Sequence, residues 1–272
     1  MKINNKLQNQ PIGIFDSGLG GLTVLKSLQK ILPNESFIYF GDTAHVPYGS
    51  KGTKTVTKYA QNIMEFFIEH KIKAVVVACN TVSAVSFNYL KNLYDIPIFD
   101  VVSPSVEFAF KNSTNKNIGV VGTLSTIESK SYTKLFNKLD NSYIIKEVAC
   151  PLFVPIIEEG WSNSNIAKDI AKIYLKEFNK IKIDTLILGC THYPIMAKTI
   201  KNILNADIKL IYSGETVGIK MKKFLINENY NNCSKKLQKT EYYVSDLPKK
   251  FDELGSRFLG YPLNNVKQIS ID

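Results

Sequence analysis

Two passages of this chain share one design. Ile72-Lys73-Ala74-Val75-Val76-Val77-Ala78-Cys79-Asn80-Thr81 and Ile183-Asp184-Thr185-Leu186-Ile187-Leu188-Gly189-Cys190-Thr191-His192 are both apolar runs of strand length closed by a cysteine. In each, the residues after the cysteine are small amides or hydroxyls suited to cap a helix. A second echo lies upstream. Asn117-Ile118-Gly119-Val120-Val121-Gly122-Thr123 resembles Pro11-Ile12-Gly13-Ile14-Phe15-Asp16-Ser17, a strand ending in a small polar turn. From turn to cysteine is 63 residues in the first copy (16 to 79) and 68 in the second (122 to 190). A chain that writes the same unit twice is constrained to two similar halves.

Around these passages, apolar runs alternate with amphipathic stretches from end to end, the pattern of a parallel α/β architecture. Strands are predicted near 11–16, 36–41, 73–79, 97–101, 117–122, 143–149, 184–190, 208–212 and 241–245. Helices are predicted over Leu22 to Ile31, Thr53 to His70, Val82 to Tyr94, Thr126 to Leu139, Ile166 to Phe178 and Ile195 to Leu204. Pro104, Pro151 and Pro155 read as joints between elements. The expected organisation is two α/β domains, each a mainly parallel sheet flanked by helices. Residues 1–103 plus 214–272 form the first and 104–213 the second, with a boundary near Ser103-Pro104. Ligands of such sheets bind beyond the carboxyl ends of the strands, which would set Cys79 and Cys190 across one cleft.

A free cysteine is often just a small buried hydrophobe. The repeated context argues for more, because a thiol at a helix N-terminus is favoured as thiolate by the helix dipole and its backbone N–H groups. Cys150 and Cys233 lack that context. Four cysteines this dispersed make neither a disulfide framework nor a paired zinc knuckle, so no metal is expected and a reducing, cytoplasmic setting suits the chain. No secretory h-region opens it, and no segment approaches the roughly 18 apolar residues of a membrane span. The net charge of +10 arises from lysines scattered over helix exteriors. That pattern reads as solvated faces and not as a specific nucleic-acid footprint.

Further candidates cluster in the turns. Gly18-Leu19-Gly20-Gly21 lacks the spacing of a dinucleotide fingerprint, and Asp16 before it would repel a pyrophosphate. The better reading is a tight turn exposing Asp16 and Ser17, with a plain helix cap as the alternative for Asp16. Gly41-Asp42-Thr43-Ala44-His45-Val46-Pro47-Tyr48-Gly49-Ser50 is a polar loop after the second strand. There Tyr48 offers an aromatic wall and Gly49 a bare N–H, unless the stretch is a simple turn. His192 stands two residues beyond Cys190, where an imidazole can exchange the thiol's proton or merely cap toward solvent.

Together, Ile12 to Gly21, Gly41-Asp42-Thr43 through Pro47-Tyr48-Gly49, Ala78-Cys79-Asn80-Thr81, Gly189-Cys190-Thr191-His192-Tyr193-Pro194 and the late Phe258-Leu259-Gly260 resemble the ordered signature blocks of bacterial glutamate racemases. The resemblance spans nearly the whole chain. It implies a cofactor-independent, two-base racemase that supplies D-glutamate for peptidoglycan, commonly a homodimer. It further implies Cys79 and Cys190 as the catalytic pair, Cys79 serving D-glutamate and Cys190 L-glutamate. Asp16, Ser17, Tyr48, Gly49, Asn80, Thr81, Thr191 and His192 would bind substrate or tune the thiols. His45 stands where many relatives carry arginine. A racemase for aspartate or another acidic amino acid is the near rival; relatives acting on aspartate tend to carry an acid at the position of His192. Outside this class, the two intact cysteines argue against a binding protein that has lost its chemistry. Thiols held across a substrate would also be too far apart for the disulfide of a redox enzyme.

Overall fold

A computed structural model describes residues 5–204, 207–232 and 239–271. Cys233 lies outside the described residues. Ten strands occur among these residues: β1 (Ile12–Asp16), β2 (Phe37–Gly41), β3 (Ala74–Val77), β4 (Ile98–Asp100), β5 (Asn117–Gly122), β6 (Ile144–Ala149), β7 (Thr185–Gly189), β8 (Lys209–Tyr212), β9 (Thr240–Val244) and β10 (Val266–Gln268). They form two sheets, ordered β10-β9-β2-β1-β3-β4 and β6-β5-β7-β8. Every pairing is parallel. The fold is α/β, two mainly parallel sheets flanked by helices.

The internal repeat of the sequence is a repeat of topology. The run β2-β1-β3-β4 has the order of β6-β5-β7-β8, so the echoing segments become the central strands β1 and β5. The cysteine strands β3 and β7 pair directly with them, Phe15 opposite Val77 and Gly122 opposite Gly189. Both cysteines therefore emerge beside the end of a central strand.

These strands read as continuous apolar runs because both faces are covered. On the first sheet, Ile14, Tyr39 and Val76 pack into one core with Leu25, Leu28, Val217 and Met221. Phe15, Phe40, Val75 and Val77 face the other, with Ile63, Met64 and Phe67. The second sheet is sandwiched likewise, by Tyr132, Phe136 and Val106 on one face and by Phe153, Leu175 and Tyr193 on the other. Each fully buried large side chain is worth roughly 1.5–3 kcal/mol relative to exposure, which makes these four layers the main source of stability. Lys73, also buried, pairs with Glu35 and donates to the carbonyls of Gln8 and Tyr230 at the base of the first sheet.

Several local expectations change. The helix predicted over Val82 to Tyr94 is two helices, Asn80–Val85 and Phe87–Leu93, broken at Ser86 with φ −125°. Its hydroxyl is engaged with that of Thr57 at 2.7 Å. The helix over Thr126 to Leu139 also divides, at Lys130 in the left-handed region. There Ser129 donates to the carbonyl of Thr126 and accepts from the N–H of Ser131, diverting groups a continuous helix would use. Pro104 and Pro155 are not joints but third residues of the helices Val102–Asn112 and Phe153–Glu158. Their missing N–H falls where a helix makes no internal bond. Ser103-Pro104 thus lies in the first turn of a helix whose Val102, Val106 and Ala109 pack on the second sheet. Residues after 213 return to the first sheet, through Val217, Met221 and Leu225 of the helix Ser213–Asn227 and through β9 and β10.

Candidate active site

The carboxyl ends of β1, β2 and β3 face those of β5, β6 and β7 across a cavity of about 400 Å³. Cys79 and Cys190 both line it, one from each sheet. Each is buried except for the small fraction that meets the cavity, 5% and 6%. Ser17, Tyr48, Gly49, Asn80, Thr81, Thr191 and His192 line the same cavity, so the loops converge as a set. Among the described residues, no three His, Cys, Asp or Glu side chains are grouped to hold a metal ion.

Asp16 is placed differently from the exposed turn the sequence suggested. It is fully buried and does not reach the cavity wall. Its carboxylate accepts the N–H of Gly18 at 3.0 Å and the hydroxyl of Thr191 at 3.3 Å, joining the two halves behind the thiols. Burial raises its pKa, with His192 and the N–H groups of Gly18 and Gly21 opposing.

The expectation of low-pKa thiols is overturned. Burial pushes the Cys79 thiol up to about 12, and the nearby charge of Asp16 adds to it. The N–H of Val82 and both the hydroxyl and the N–H of Ser17 work the other way without winning. Cys190 is likewise raised by burial, opposed by the N–H of His192. The helix N-terminus is present at Cys79, which caps Asn80–Val85. Cys190 instead enters a turn and a short 3₁₀ segment, Tyr193–Met196. In both places desolvation outweighs the fixed dipoles.

His192 holds Cys190 through its backbone, while its ring turns elsewhere. Nε2 lies 2.9 Å from Oε1 of Glu158, and Nδ1 is buried without a partner. Burial raises the pKa of Glu158, but the hydrogen bond from His192 and the charges of His192 and Lys250 outweigh it and leave the carboxyl below its usual range. Glu158 lines the cavity and had no signature in the sequence, where Ile156-Ile157-Glu158-Glu159-Gly160 reads as an ordinary helix end. Thr123 was also missed. It caps a helix after β5, and its hydroxyl lies 3.0 Å from that of Thr81. Its position in the echo of Asp16-Ser17 was the available signal.

Tyr48 is fixed by Asp42, to which its hydroxyl donates at 2.5 Å. The same buried carboxylate takes Ser245 at 2.7 Å and Nδ1 of His45 at 2.9 Å, and the His45 ring stacks on Tyr59. His45 therefore braces the Tyr48 loop. Two glycines permit the halves to approach. A β-carbon on Gly49 would lie 2.7 Å from Cβ of Thr123, and one on Gly20 2.2 Å from Oγ1 of Thr191.

A small cavity walled by Val46, Pro47, Val154 and Pro155, with two thiols and several short polar side chains, suits proton transfer on a compact polar molecule. Known proteins agree with that class. A profile of the Asp/Glu/Hydantoin racemase family matches residues 12–217. A glutamate racemase of Thermoanaerobacter pseudethanolicus is 42% identical over 266 residues, covering 98% of this chain and 99% of that protein. The crystal structure of glutamate racemase from Francisella tularensis in complex with D-glutamate aligns with a TM-score of 0.91 at 38% identity, covering 97% of this chain and 99% of that one. A glutamate racemase isoform from Bacillus anthracis aligns at 0.93 and 33% identity, covering 97% and 98%. The chain belongs to the Asp/Glu racemase family and is an isomerase acting on an amino acid.

Proposed function

We propose that this chain interconverts L- and D-glutamate by a cofactor-independent, two-base mechanism in which Cys79 and Cys190 stand on opposite faces of the α-carbon. One observation carries the reading: two cysteines from two sheets of like order line a single cavity of amino-acid size. Racemisation needs a proton removed from one face and a proton returned to the other, so one thiolate and one thiol suffice. Glutamate is favoured over aspartate by the relatives at about 40% identity and by the D-glutamate-bound neighbour.

The substrate itself answers the problem of the raised thiols. Its positive ammonium group, entering the cavity that Cys79 lines, offsets the negative charge of the buried Asp16 that helps to hold Cys79 protonated. On the other side the N–H of His192 favours the Cys190 thiolate, and the His192 ring is held at 2.9 Å from Glu158. Ser17, Gly49, Thr81 and Thr191 offer hydroxyls and N–H groups for the two carboxylates. The product would feed peptidoglycan synthesis in the cytoplasm, and we propose a homodimer as the working form.

The test is incubation of the purified protein with L-glutamate in deuterated water. Optical rotation should decay to zero as α-deuterium enters both enantiomers. Unchanged rotation with no exchange would reject the reading.

A further inference from the structure

Tyr132 opens no wall of the cavity, yet its hydroxyl touches both cysteine segments. It lies in the helix Ser131–Leu139 and is fully buried in the second sheet's core. Nδ2 of Asn80, the residue after Cys79, donates to it at 3.0 Å. On the other side, a β-carbon on Gly189, the residue before Cys190, would sit 3.1 Å from the same hydroxyl. One phenol thus spans the two halves just behind the thiols.

The orientation of the Asn80 amide follows from counting protons. Ser213 has one hydroxyl proton, which it donates to the carbonyl of Leu188 at 3.3 Å. Its oxygen must then accept from Asn80, whose Nδ2 is 3.3 Å away. Both amide hydrogens are spent on Tyr132 and Ser213. Oδ1 is left buried with no partner, on a residue that lines the cavity. A buried acceptor of this kind is costly unless a ligand brings a donor. In an acidic amino acid at neutral pH the carboxylates bring only acceptors, and the ammonium group brings donors.

We propose that Tyr132 is a positioning residue that locks the Asn80 amide so that Oδ1, and not the NH₂ group, meets the substrate's ammonium group. The assignment rests on the amino-acid racemase reading above and adds to it a residue outside the cavity. Tyr132→Phe keeps the ring in the core and removes the hydroxyl. We expect the KM of Tyr132→Phe for both glutamate enantiomers to rise about tenfold, with kcat within about twofold of wild type, the loss of one well-oriented hydrogen bond. Inhibition by glutarate, which has the two carboxylates and no ammonium, should not change. In an Asn80→Ala background Tyr132→Phe should add nothing, since its effect runs through that amide. An unchanged KM in Tyr132→Phe, losses that add to those of Asn80→Ala, or an equal loss of glutarate binding would each overturn the assignment. A wild-type protein that does not racemise glutamate would reject the proposed function and this assignment with it. A wild type that racemises, with any of the three contrary results, rejects the assignment alone.

Discussion

Cys79 and Cys190 follow equivalent strands of two sheets with the same order, but they do not share an environment. The buried Asp16 raises both thiols, but Cys79 caps a helix and lies 3.9 Å from the Ser17 hydroxyl. Cys190 enters a turn, takes the N–H of His192 and sits near the His192–Glu158 pair. The scaffold is duplicated and the chemistry is not. Under the proposed mechanism, two proton carriers that must treat mirror-image substrates alike are built from unlike surroundings. The surroundings, and not the thiols, should set any difference between the two directions.

The largest expected effect comes from removing either thiol. Cys79→Ser and Cys190→Ser should each lower racemisation by about 10³-fold or more, because a serine alkoxide is far harder to form than a thiolate. Given a glutamate analogue with a leaving group on C3, each variant should still eliminate from the one enantiomer whose α-proton faces the remaining cysteine. Measured with both enantiomers, elimination confined to the same enantiomer in both variants would break the opposed-face arrangement.

A smaller, one-sided effect should follow from the His192–Glu158 pair. Glu158→Gln leaves a neutral partner for Nε2, and kcat should fall roughly 10- to 100-fold in the direction that uses Cys190 as base. The opposite direction, measured by initial rates from the other enantiomer under single-turnover conditions, should change less. An equal loss in both would show that the pair serves binding and not one thiol.

The smallest effect is on stability. The Cys79 pKa is raised in the folded protein to about 12 from an ordinary value near 9. Between those values the folded state retains a proton that the unfolded chain gives up, so this group's contribution is full below pH 9 and is lost as pH rises toward 12. Denaturant unfolding of Cys79→Ser should therefore show a shallower decline over that window than wild type. Parallel curves would mean that the thiol is less desolvated than its surroundings imply.

Much of this could be read from residues alone. Runs such as Ala74-Val75-Val76-Val77 announce two-sided strands, and cysteines repeated with their caps mark where the strands end. The cavity residues named from the sequence lie within four positions of such a strand end or in the Gly41–Ser50 loop. What stayed hidden depends on contacts far apart in the chain. Glu158 meets a ring 34 positions away, and Tyr132 an amide 52 positions away. No local pattern encodes either. The raised thiols were missed for a related reason: the helix dipole is written in the sequence next to Cys79, whereas desolvation is set by everything that closes over it. Breaks at Ser86 and Lys130 escaped because side-chain hydrogen bonds and a left-handed lysine, not glycine or proline, interrupt those helices.

The order of the strands also bears on how the molecule comes into being. The four strands of the second sheet are drawn from one unbroken span, 117–212, whereas the first sheet waits for β9 and β10 from the end of the chain. Long loop closures are entropically late, and a growing chain presents its segments in sequence. Pulse-labelled hydrogen exchange should find the amides of β5 and β7 protected before those of β9. The half that carries Cys190 would then stand as a template on which the half that carries Cys79 is completed. The cavity between them would be among the last features of the molecule to form.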